Sequence, residues 1–114
     1  MNLKSWLSNQ PEDEGERKTL RAASEWRLTP EEAEQLVGEI GHQWTPRQTH
    51  TADLVNSIYL NLRYMPPVMA RAWPKTPNDN SLFVGRAPLE LMLNGTEGLE
   101  RVLRFIKGQN GGSL

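Results

Sequence analysis

The chain has few side chains suited to chemistry, and their spacing narrows what that chemistry could be. His42 and His50 are its two histidines, eight residues apart, with no cysteine or acidic partner at a ligand spacing. A zinc site needs three or four converging donors, so the pair reads as surface or capping histidines and no metal is expected. Arg47, Gln48, Thr49 and His50 follow a Thr-Pro helix start. Side chains of this kind at the head of a helix can touch phosphates or base edges. Arg101, Arg104 and Lys107 recur at three-residue steps and so share one flank of a helix. They can meet an anionic partner, or simply favour the negative end of their own helix. There is no phosphate loop, no glycine-rich dinucleotide turn and no nucleophile elbow. The chain is therefore expected not to be an enzyme and to use no cofactor.

Composition sets the frame for these groups. At 114 residues the chain is one domain's worth of material, and it has no cysteine for a disulfide or a thiolate metal site. The net charge is −1 and the mean hydropathy −0.63, which predicts a soluble protein. No apolar run approaches the roughly 18–20 residues of a membrane span, and Met1–Gln10 lacks a signal-peptide core. A cytoplasmic protein with no membrane partner is expected. Acidic residues crowd the first third, including Glu12, Asp13, Glu14, Glu16, Glu31, Glu32 and Glu34. From Arg63 onward the balance is basic. A near-neutral total argues against strong non-specific nucleic-acid binding, which relies on many phosphate contacts.

The elements that must position these residues read as helices throughout. Leu3, Trp6 and Leu7 suit one side of a helical turn, and a helix is expected from about Glu16 to Trp26. "LTPEEAEQLVG" is better marked: Thr29 as N-cap, Pro30 at the first position and Glu32 closing a capping box. Ala33, Leu36 and Val37 form its buried stripe, with Gly38 or Gly41 ending it. "WTPRQ" repeats the start signal, with Thr45 as cap and Gln48 closing the box. The long helix that follows, about Pro46 to Tyr64, carries an apolar seam at Thr51, Val55, Ile58, Leu62 and Met65. That seam suits either an ordinary core or a homodimer. A short helix from Pro67 to Trp73 and another after Pro88 lead to a last helix. Thr96 is read as its cap, Gly108 as its end, and Leu99, Val102, Leu103 and Ile106 face inward. No segment alternates with period two, so the fold class is all-α. The expected architecture is a small helical domain with a long central helix, a Pro-rich irregular connection and two C-terminal helices.

That connection, "WPKTPNDNSLFVGRAPLELM", carries Pro74, Pro77 and Pro88 among large apolar side chains. Proline reduces the conformational freedom of an irregular segment, so less entropy is lost when the segment docks. Trp73, Leu82 and Phe83 are expected to anchor the loop on the last two helices. The first half offers a weaker motif. "LTPEEAEQLVG" is like the first helix of a helix-turn-helix unit, but Glu34 stands where a small residue is usual, four before the glycine. Pro46 also divides the segment that should supply the recognition helix.

From about Ala52 to Gly108 the chain resembles the toxin-binding domain of the Xre/MbcA/ParS-like antitoxins. The matching residues are Trp73, Pro77-Asn78, Leu82, Pro88-Leu89-Glu90-Leu91, Gly98, and Val102-Leu103 with Ile106. One departure is "NDNSLF", which delays the leucine after Asn78. The resemblance implies residues 51–114 as a toxin-binding domain with a flexible C-terminal tail. Residues 1–50 would then be an N-terminal helical region with a degenerate helix-turn-helix. It also implies a RES-type NAD-degrading toxin as partner, occluded at its active site, with autorepression of the operon through operator DNA. On that basis the toxin-binding residues are Arg86, Leu89, Arg101, Arg104, Lys107, Gln109 and Asn110. The bracket that holds them is Trp73, Pro77, Asn78, Leu82, Phe83, Pro88, Leu91, Val102 and Ile106. Basic groups are apt for a pocket that accepts a pyrophosphate. The alternatives are a stand-alone DNA-binding repressor, using Arg47, Gln48, Thr49 and His50, or a phage-borne adaptor with another partner.

Overall fold

Two Thr-Pro pairs start two of the helices, and both close full capping boxes. The Thr29 hydroxyl accepts from the Glu32 N–H at 3.1 Å while Glu32 accepts from the Thr29 N–H at 2.8 Å. Thr45 and Gln48 repeat the exchange at 3.2 and 3.0 Å. Each box satisfies two of the amide donors that a helix start leaves without partners. The computed structural model describes residues 14–39 and 44–109, and the chain is all-α, with no strand among the described residues. The apolar turn at Leu3, Trp6 and Leu7, His42, Asn110 and the tail beyond it lie outside the described residues.

Among the described residues six α-helices follow in order: α1 Glu14–Glu25, α2 Pro30–Val37, α3 Pro46–Asn61, α4 Pro67–Ala72, α5 Pro88–Met92 and α6 Thr96–Gln109. Short 3₁₀ turns at Leu62–Tyr64 and Trp73–Lys75 extend α3 and α4. Arg27 ends α1 in the left-handed region, at φ 55°. The Leu28 N–H donates to the Ala23 carbonyl at 2.9 Å and the Arg27 N–H to Ser24 at 3.2 Å. This pair of bonds is a Schellman cap, and it turns Leu28 back into the core.

The central helix α3 packs against α1 on one side and α6 on the other. Thr51, Ala52, Val55, Ile58 and Leu62 are all buried there. Burying Val55, Ile58 or Leu62 stabilises the fold by about 2 kcal/mol each. The seam predicted along this helix is thus covered within the chain from Thr51 to Leu62. Met65 falls beyond the helix, in extended backbone before Pro66, and is half-buried. One core unites Leu20, Trp26 and Leu36 with Leu99, Val102 and Ile106. Residues on both sides of the boundary drawn at residue 50 therefore share it.

The last helix differs from its expected ends. Thr96 lies inside α6 rather than capping it, and the helix continues through Gly108 to Gln109. Gly98 is what lets α5 and α6 meet. A β-carbon at that position would overlap the Leu91 carbonyl oxygen, so no larger residue fits without separating the two helices.

Candidate functional site

The irregular segment between α4 and α5 is held by its own polar groups. Asn78 and Asn80 do most of this. The Asn78 side chain accepts from the Asn80 N–H at 2.8 Å, and Asn80 accepts from the Leu82 N–H at 3.0 Å. Such side-chain turns replace the backbone bonds that a helix or strand would supply. The Asn78 N–H donates to the Arg86 carbonyl at 3.0 Å and the Gly85 N–H to the Asn78 carbonyl at 2.8 Å, which ties the two ends of the loop together. Pro77 is exposed, so it contributes backbone restriction rather than packing.

Beneath the loop lies an aromatic trio. Trp73 meets Phe83 edge-on at 5.8 Å, Phe83 meets Phe105 edge-on at 5.1 Å, and Trp73 stacks on Phe105 at 6.4 Å. Each geometry is favourable for ring quadrupoles, at about 0.5–1.5 kcal/mol per pair beyond burial. Phe83 is buried, Leu82 and Leu91 are half-buried, and Pro88, Val102 and Ile106 are buried below them. Of the residues expected to brace the loop, Trp73 and Phe83 meet in this trio, with Phe105 as a member that sequence reasoning missed. Its position between Arg104 and Ile106 gives it no place in the core stripe of α6, so only the fold shows its partners.

A second missed residue is Val84, which caps the loop in the left-handed region at φ 52° with 77 % of its surface exposed. A β-branched side chain is disfavoured there by about 1–2 kcal/mol. The conformation is held by the Val84 N–H donating to Asn80 at 2.9 Å and the Arg86 N–H to Phe83 at 3.0 Å. Backbone strain of this kind is a signal of function when the structure around it enforces it. Next to Val84, a groove of about 250 Å³ is lined by Leu82, Arg86, Glu90 and Asn94 among others.

The predicted contact residues fall into two groups. Arg86, Arg101, Arg104, Lys107 and Gln109 are exposed. Leu89 is not: at 5 % exposure it belongs to the core, because α5 turns it inward beside Met92. It is removed from the contact set. On the α6 flank, Arg101, Arg104 and Lys107 make no hydrogen bond or ion pair with any described residue.

The four residues assigned to DNA contacts are less free. The Gln48 side chain closes the capping box and also donates to the carbonyls of Val37 and Glu39, both at 3.0 Å. It thereby pins the α2 terminus, where Gly38 at φ 87° leaves room for it. The Thr49 hydroxyl donates to the Thr45 carbonyl at 3.3 Å. Arg47 and His50 are exposed. Glu34 is exposed as well, so it is not buried against a partner helix.

Lys75 is among the side chains that join the two halves by polar contacts. Lys75 donates to the Arg27 carbonyl at 2.7 Å and pairs with Glu32 at 3.3 Å. Partial burial of Glu32 opposes its ionisation, but the Thr29 N–H, the Lys75 ammonium and the Thr29 hydroxyl outweigh it and hold the carboxyl below its usual range. The pair is partly exposed, so its contribution is small.

No family model matches this chain, and neither the curated proteins nor the solved structures contain a match to it.

Proposed function

We propose that this chain is an antitoxin that neutralises a RES-type NAD-degrading toxin by covering its active site. The single observation that carries the reading is the α6 flank. Arg101, Arg104 and Lys107 are exposed and their side chains are unpaired among the described residues, on a helix whose opposite side is buried at Leu99, Val102 and Ile106. Free guanidinium and ammonium groups on a rigid support suit a pocket built for a pyrophosphate, because little entropy is lost when they dock. The ordered residue pattern from Trp73 to Ile106 supports the same partner class. Operator binding gains no such support, since Gln48 and Thr49 are engaged with the backbone.

The test is co-expression with a RES-type toxin encoded beside this chain, read as cellular NAD. The full chain should preserve NAD, and the triple variant R101E/R104E/K107E should not, although it melts as the parent does. Full protection by the triple variant would overturn the proposal.

A further inference from the structure

A second concave site lies away from this face, between α1, the end of α3 and α4. Its volume is about 500 Å³, within the roughly 300–1,000 Å³ of small-molecule sites. None of the residues that line it belongs to the loop face or to α6. Its apolar surface comes from half-buried Met65 and Ala70 and exposed Pro67, while Trp26 and Leu62, at 2 % and 1 % exposure, only back the cleft.

The rim is cationic. Arg21, Arg63 and Arg71 face the cleft with one carboxylate, Glu25, to oppose them. Glu25 already accepts from the Tyr59 hydroxyl at 3.4 Å. Arg21 is held in place, donating to the Asn56 side chain at 3.0 Å and lying 4.9 Å over the Tyr59 ring. Arg63 and Arg71 have no hydrogen bond or ion pair with any described residue. Apolar surface beside three guanidiniums and a single carboxylate, a net positive rim, is suited to one kind of molecule.

We infer that this cleft binds a small amphipathic anion, an aryl or alkyl body carrying a carboxylate, sulfonate or phosphate head. The body rests on Met65, Pro67 and Ala70. The head is taken by Arg63 and Arg71, whose planar forks match a carboxylate or phosphate with two parallel bonds. Arg21 and Tyr59, already fixed against each other, form the wall. This site is independent of the antitoxin reading, because the two share no residue.

The experiment is a fluorescence titration of the full chain with anilinonaphthalene sulfonate, followed by competition with octanoate and with octanol. Saturable binding at one dye per chain is expected, displaced by octanoate but not by octanol at the same concentration. The double variant R63Q/R71Q should weaken dye binding at least about tenfold with an unchanged melting temperature. Ala70→Leu, which keeps every charge but fills the cleft, should weaken it as well. Absence of a saturable site, equal displacement by octanol, or undiminished binding by both variants would overturn the inference. R63Q/R71Q should still neutralise the toxin, so failure here and failure of the antitoxin reading are separable.

Discussion

Two corners of this molecule are rich in polar residues and turn signals, yet they use them differently. At the junction of α2 and α3, Thr45, Gln48 and Thr49 are all engaged in bonds to backbone, and Gln48 alone holds three backbone groups. Between α4 and α5, Asn78 and Asn80 also bond to backbone, but what they stabilise is an exposed apolar tip at Val84 beside exposed Arg86. In the first corner the polar groups end two helices. In the second they hold a strained residue out to solvent at a conformational cost.

Perturbations of the two corners should therefore differ in kind. The largest effect is expected under the loop face, where Gly98→Ala forces α5 and α6 apart. It should cost about 3 kcal/mol in urea unfolding. Phe105→Ala removes one ring of the aromatic trio and with it two of its three contacts. Because Phe105 is only half-buried, a loss of about 2 kcal/mol is expected, below that of a fully buried phenylalanine. Amide exchange in the loop at residues 78–86 should rise with it.

In the α2–α3 corner, Thr45→Ala should cost about 1 kcal/mol through loss of the cap, whereas Arg47→Ala and His50→Ala should stay within about 0.5 kcal/mol. Val84→Gly should have the opposite sign, raising stability by about 0.5 kcal/mol as the left-handed strain is relieved, while weakening partner binding. A destabilising Val84→Gly would break the contrast between the corners.

The smallest effect concerns pH. Glu32 titrates below its usual value of 4.5 in the folded chain. Its contribution is therefore present above that value and is lost as pH falls through the lower, folded value. Lys75→Met should flatten this part of the stability profile slightly, as followed by thermal melts between pH 3 and about 6.

Much of this was legible in the sequence because its causes are local. A Thr-Pro pair with Glu or Gln three residues after the threonine specifies its own helix start, and both starts form as read. The apolar spacing of Val55, Ile58 and Leu62 announced a buried face. Periodicity does not say what covers such a face, and here α1 and α6 do. Leu89 looked like a surface contact because a five-residue helix gives too little pattern to orient it. The stacking of Trp73 on Phe105 and the link from Lys75 to Arg27 cross 32 and 48 residues of chain, and no spacing rule encodes either. Val84 was missed because nothing in its residue type signals a positive φ.

The most direct test of the proposed docking face is hydrogen exchange by mass spectrometry on the complex with the adjacent RES-type protein. Protection on binding is predicted for residues 82–86 and 101–109, with the α2–α3 corner unchanged. Protection confined to residues 45–50, or none in the loop and α6, would contradict it.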